Sequence, residues 1–195
     1  MNCFRYSLLT ALGVAVIVSL ATPTVTVAED EQPLIDILTS DAPKAEKAIT
    51  CKKLAIWGSA KSVPALAALL PDKELTSWAR IALEVIPDPS ADAALREAME
   101  KTNGRILVGI INSIGVRRDA EAVDALIQQL SNSDAGVAGA AAVALGPIGN
   151  PPAPAALEKA LSGSPEAIRS AVADGCILSA DQQVAAGETE QAAAL

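Results

Sequence analysis

The feature that most constrains this chain is a ladder of leucines. Leu34, Leu66, Leu95, Leu126 and Leu157 follow one another at intervals of 32, 29, 31 and 31 residues. Four residues after each comes a second large apolar residue: Leu38, Leu70, Met99, Leu130 and Leu161. A spacing of four puts the two members of each pair one turn apart on one face of a helix. A second ladder precedes each later anchor: Leu54 with Trp57, Leu83 with Ile86, Ile111 with Ile114, and Leu145 with Ile148. It is followed each time by Gly58, Pro87, Gly115 or Gly149. Glycine just past a helix supplies the left-handed cap, and proline stops the helix outright. The repeating unit is therefore helix, short turn, helix, stop, and a unit of this length that recurs cannot bury its apolar face without its neighbours.

The units cover residues 33–58, 59–87, 88–115, 116–149 and 150–179. In the second, Val63, Leu66, Ala67 and Leu70 form a core-facing stripe, Pro71-Asp72 breaks it, and Leu75 to Ile86 forms the partner helix. In the third, Ser90 is the expected N-cap and Asn103-Gly104 the turn. Its second helix, from Arg105 to Ile114, is apolar nearly all round, as a centrally placed helix would be. Asp134 is the expected cap in the fourth unit, and Pro151, Pro152, Pro154 and Pro165 sit around helix starts in the fifth. After Ala180 the pattern fades. Residues 181–195 read as a degenerate cap or as the start of a truncated further repeat.

Composition agrees. Half the residues are apolar, but aromatics make up only 2%, so the apolar content is chiefly Ala, Leu, Ile and Val. Alanine favours helix and lets helices approach closely, whereas strands favour aromatic and β-branched residues in alternation. The expected fold class is all-α: an α-solenoid of about five helical hairpins spanning residues 29–180.

Residues 1–28 have the order of a secretory signal: basic Arg5, the uncharged run Leu8 to Ala21, then small residues before Glu29-Asp30-Glu31. Cleavage is expected after Ala28, with Ala21 the second candidate; the alternative is an uncleaved anchor, for which the apolar run is short. The expected location is exported, periplasmic or extracellular, with no stable membrane insertion after cleavage. Loss of Arg5 takes the formal charge from −8 to −9. An acidic chain argues against nucleic acid and anionic membranes as partners. Cys51 and Cys176 lie near opposite ends of the expected stack, too far apart for a bridge that needs Cα atoms within about 7 Å.

The runs Ser62-Val63-Pro64-Ala65-Leu66-Ala67-Ala68-Leu69-Leu70 and Asp134 through Ala142-Val143-Ala144-Leu145-Gly146-Pro147-Ile148-Gly149 resemble HEAT repeats. More closely, they are similar to the short, alanine-rich bacterial type first associated with phycobilin lyases. A looser resemblance is to exported HEAT-repeat proteins of environmental bacteria. The resemblance covers about Pro33 to Ser179. It implies a solenoid that binds other proteins through an extended concave surface. The family's arginine or valine early in the second helix is matched by Arg80 and Arg169, and by Val137 alone in the fourth unit.

Histidine is absent, which removes Ser–His and Cys–His nucleophile systems. No cysteines stand at metal spacing, and Gly136 and Gly139 lie within a helix, not a phosphate loop. No catalytic, metal or cofactor site is expected, and the chain is read as a non-enzymatic scaffold for one or more protein partners. The alternatives are an accessory segment of a larger exported enzyme and a bilin-lyase-like protein. Six residues stand out as candidate partner contacts. Arg117 and Arg118 form a basic turn in the one junction with three additional residues, Val116 to Arg118. The alternative is a solvated turn whose arginines pair with Asp119 or cap carbonyls of the preceding helix. Arg80, Arg105 and Asn112 are expected to approach the concave face, Asn112 needing a partner if buried. Trp78 is read as core or, if exposed, as an anchor. Trp57, on the apolar ladder, is read as core, and Lys44, Lys47, Lys52 and Lys53 as a solvated face.

Overall fold

A computed structural model describes residues 30–194, so the expected signal segment, its two cleavage points and Cys3 lie outside the described residues. Every regular element among the described residues is helical. The helices are α1 (Gln32–Thr39), α2 (Lys44–Trp57), α3 (Val63–Ala67), α4 (Thr76–Val85), α5 (Pro89–Lys101), α6 (Gly104–Arg117), α7 (Val123–Gln129), α8 (Ala135–Ile148), α9 (Ala153–Gly163), α10 (Glu166–Ala185) and α11 (Thr189–Ala194). Single 3-10 turns at Ala60–Ser62 and Ala120–Ala122 lead into α3 and α7. The first ten helices form five successive hairpins, and the hairpins stack as an α-solenoid, as the ladders predict.

The anchor leucines Leu66, Leu95, Leu126 and Leu157 are fully buried and Leu34 nearly so. They hold α3, α5, α7 and α9 to the second helices behind them. The companion ladder is buried at Leu38, Leu70 and Met99 but loosens to half-buried Leu130 and exposed Leu161. A cleft of about 600 Å3 opens there between α7, α9 and the start of α10.

The two layers pack unequally. The second helices α2, α4, α6, α8 and α10 make the main contacts along the stack, and the first helices touch one another much less. In a curved stack the closer-packed layer lies on the inside, so the second helices form the inner face. Small residues permit the close packing. A Cβ on Gly115 of α6 would fall 2.9 Å from the Ala144 Cβ of α8, and one on Gly146 of α8 would fall 2.7 Å from the Gly175 carbonyl oxygen of α10. A Cβ on Gly175 would in turn collide with the Ala142 carbonyl.

The helix ends differ from expectation in several places. Asp88, not Ser90, caps α5: its carboxylate accepts from the Ser90 N–H at 2.9 Å, with Pro89 supplying the preset φ of the first turn. Asp134 caps α8 as expected, accepting from Gly136 N–H. Gly149 takes the left-handed cap at φ 67, but Gly58 is extended. Gly115 stops nothing. It lies inside α6, which continues to Arg117, and the left-handed residue is Arg118 at φ 54. Its closure is a Schellman turn, with Asp119 N–H donating to Ile114 O at 3.3 Å. The three additional residues of this junction therefore extend a helix and do not form a projecting loop. Trp57, expected in the core, is 51% exposed at the end of α2, because among the described residues no further helix covers that side. Cys51 and Cys176 are buried free thiols, as their separation implied. Helix α10 runs unbroken past Ser179 to Ala185 before Gly187 turns the chain at φ 84.

Gly175→Ala is expected to cost about 1–3 kcal/mol through overpacking. Gly163→Ala, where a Cβ meets nothing within 4 Å, is expected to be neutral or to stabilise by up to about 1 kcal/mol. Urea unfolding of the two variants checks the contrast.

Candidate functional site

Stacked second helices bury three sides and leave one to solvent. On α4 that side carries Ile81 and Val85, on α6 Asn112 and Val116, on α8 Val143 and Pro147, and on α10 Asp174 and Leu178. Val85, Val116, Pro147 and Leu178 occupy equivalent positions 31 residues apart, and Ile56 on α2 stands 29 residues before the first. Ile56 is 71% exposed, Val85 56% and Val116 65%, while Leu178 is exposed and Pro147 half-buried. The inner face thus bears an apolar row, one residue per hairpin, that crosses the stack at right angles to its helices. Singly exposed apolar residues are ordinary, but a contiguous set is not. Where α6, α8 and α10 meet, Asn112, Val116, Arg118, Val143, Pro147 and Leu178 line a groove of about 520 Å3.

The six sequence candidates divide around this face. Asn112 lies on it and is exposed, with no hydrogen-bond partner among the described residues. It is not buried and so needs no internal partner, because α6 has one solvent-facing stripe and Asn112 is on it. Arg105, in the first turn of α6, is also exposed. Arg118 is exposed at the end of the groove, its Nη1 donating to Gln182 Oε1 at 3.1 Å. Trp78 is half-buried against the core, with the Lys52 ammonium 4.5 Å from its ring centroid, a cation–π contact at the edge of the same face.

Arg80 and Arg117 bind within the chain. Arg80 Nη1 donates to Gly109 O and Ser113 Oγ, both at 2.8 Å, and Ser113 Oγ donates to Glu84 Oε1 at 2.6 Å. This network ties α4 to α6, and it fits only because residue 109 is glycine: a Cβ there would sit 2.8 Å from Arg80 Nε. Burial lowers the Arg80 pKa below its ordinary value, and Glu84 opposes the shift.

Arg117 is not a projecting basic group. Its side chain is 9% exposed. It reaches back across the layer to the end of α4, where Pro87 prevents the helix from continuing and the last carbonyls have no helical partner. Nη1 donates to Leu83 O and Ile86 O at 2.7 Å and to Glu84 O at 3.3 Å, and Nη2 donates to Asp88 O at 3.1 Å. Asp92 of α5 completes the arrangement through a bidentate pair, Nε to Oδ1 at 2.5 Å and Nη2 to Oδ2 at 2.9 Å. The Asp92 carboxylate raises the Arg117 pKa above its usual value, against the opposing effect of burial. The carbonyls it caps belong to the end of α4, two helices back, and not to the helix that Arg117 itself ends, where the sequence reading placed the cap. Arg96 does a similar task one junction on, bridging Asp119 at 2.5 Å and Glu121 at 2.7 Å.

Among the described residues no three thiol or carboxylate groups cluster as metal ligands would. Burial pushes the Cys51 thiol up to about 11, away from the thiolate that nucleophilic chemistry requires. The larger cleft beside α9 is lined mainly by small residues, with Lys159 its one charged side chain, and it lacks the repeated register of the inner face.

Residues 100–175 match the family model described as HEAT repeats, the stretch from the end of α5 to the middle of α10. The crystal structure of an engineered protein is similar over 83% of this chain and 87% of its own, at 21% identity and a TM-score of 0.48. No curated protein matches. The matched stretch lies within the all-helical hairpin stack, an α-solenoid, and HEAT repeats are commonly used in protein–protein interaction.

Arg117→Met is expected to destabilise the protein by roughly 3 kcal/mol, because it leaves Asp92 unpaired in a half-buried site. Asp92→Asn in that background should cost much less than it does alone, and a double-mutant cycle in urea measures the coupling. Cys51 should react with a thiol reagent at pH 8 orders of magnitude faster in denaturant than in the native protein.

Proposed function

We propose that this protein is a non-enzymatic scaffold that docks a protein partner on the inner face of its solenoid, and that it does so after export. The observation that carries the docking reading is the exposed apolar row Ile56, Val85, Val116, Pro147 and Leu178, repeated in register across all five hairpins. Burial of such residues in a complex removes apolar surface from water at roughly 25 cal/mol per Å2. The row is wide enough for several contacts to add. The surface is also preorganised: it is built on rigid helices held by the Arg80 and Arg117 networks, so little ordering free energy opposes binding. Export rests on the residue order of segment 1–28. Among the described residues no helix is long and apolar enough to cross a membrane.

Two experiments test this reading. Val116→Asp places a charge on the row at a position that is already 65% exposed, so the fold should survive and partner recovery in affinity capture should fall by at least about tenfold. Asp124→Lys, on the outer layer, should leave recovery unchanged. Equal loss from both variants, or from neither, would remove the inner face as the docking site. For export, mass spectrometry of the protein recovered outside the cytoplasm should find a product beginning at Glu29 or Thr22. A full-length cytoplasmic chain would refute it.

A further inference from the structure

We infer that the partner segment seated on the inner face is an acidic amphipathic helix with an apolar residue at every seventh position, an inference that rests on the docking reading above.

The charge on this face has the opposite sign to that of the molecule. The chain carries a formal charge of −8. Yet on α2, α4, α6 and α8 the exposed charged side chains are mostly cations, Lys52, Lys53, Arg105 and Arg118 among them, with Glu46 of α2 the unpaired exception. Other acidic groups nearby are engaged: Glu84 with Arg80 and Ser113, and Glu74, just before α4, with Lys44. Exposed acidic groups gather beside the row on the last helix, at Asp174 and Asp181. A partner with carboxylates beside its apolar contacts would complement this face over most of its length and be turned away from its far end, which sets a direction.

Spacing and backbone chemistry choose the helix. Neighbouring helices pack about 8–10 Å apart, so the row presents one apolar side chain about every 10 Å. Seven residues of α-helix advance about 10.5 Å, so side chains one heptad apart meet successive hairpins. An extended segment has the reach, but its backbone N–H and C=O groups would need partners. The face is made of helices whose own backbones are satisfied, and it offers few amide side chains, Asn112 and, at the end of the groove, Gln182. A helix satisfies its backbone internally and needs only side-chain contacts.

The test uses synthetic helical peptides with leucine at every seventh position and glutamate, glutamine or lysine at the flanking positions, titrated against the purified protein by fluorescence anisotropy. The glutamate peptide should bind roughly tenfold tighter than the glutamine peptide, and the lysine peptide weakest. The preference should shrink as salt rises. In an Arg105→Glu/Arg118→Glu variant the order should reverse, whereas Arg169→Glu, whose partner Glu166 lies at the start of α10, should not change it. If all three peptides bind equally and Val116→Asp abolishes binding, the acidic-helix inference falls and the docking row stands. If none binds, or Val116→Asp has no effect on binding, both fall. Stronger capture of phosphatidylglycerol vesicles than of any peptide would overturn it in favour of a membrane surface.

Discussion

The close approach of the second helices is the constraint on which the rest depends. Gly115 against Ala144 and Gly146 against Gly175 leave no room for a Cβ larger than the one present or absent. With that spacing set on one layer and a looser one on the other, the stack has an inner and an outer side. The inner layer then has one solvent-facing stripe per helix, and the stripes fall into register because the hairpins repeat. A larger residue at any of these contacts would widen the inner layer, flatten the curve and separate the residues of the groove beneath Val116 and Pro147. Packing at this density transmits such changes and does not absorb them.

The junctions solve a second problem. Each hairpin must stop a helix and start another within a few residues, and each stop leaves carbonyls without partners. Glycine and left-handed turns solve this for α6 and α8. Helix α4 ends at a proline, and its carbonyls are met from outside by a single guanidinium carried on the additional turn of α6. One side chain therefore links α4, the turn that follows it, α5 and α6. This explains why a basic residue is buried at a position that appears, on spacing alone, to be a surface turn. The same physics separates the two neighbouring arginines. Arg117 is the last helical residue and points back along the layer, whereas Arg118 takes the left-handed conformation and turns to solvent. Only Arg118 remains for a partner.

The inner face combines three properties that rarely coincide on a stable monomeric surface: exposed apolar groups in register, rigid support, and a charge opposite to the rest of the molecule. None is specific alone. Together they define a surface with periodicity, direction and sign, which is more than a solenoid's shape supplies.

The sequence by itself determined the architecture. Leu66, Leu95, Leu126 and Leu157 are buried because apolar periodicity reports directly on which face must leave water, and the alanine content and the stops at Pro87 and Gly149 set the hairpins. The same 31-residue count, had it been applied to Val85, Val116, Pro147 and Leu178, would have revealed the inner row, but periodicity alone does not say whether a ladder faces core or solvent. Trp57 shows the limit: it sits in phase with buried residues and is exposed because no further hairpin among the described residues packs on that side of α2. Arg117 shows a related limit. Whether a polar group in a helix is buried, and which carbonyls it meets, depends on atoms some 30 residues away in the chain. The tertiary structure alone brings Asp92 and the end of α4 to Arg117, and it alone leaves Asn112 and Arg118 facing the groove.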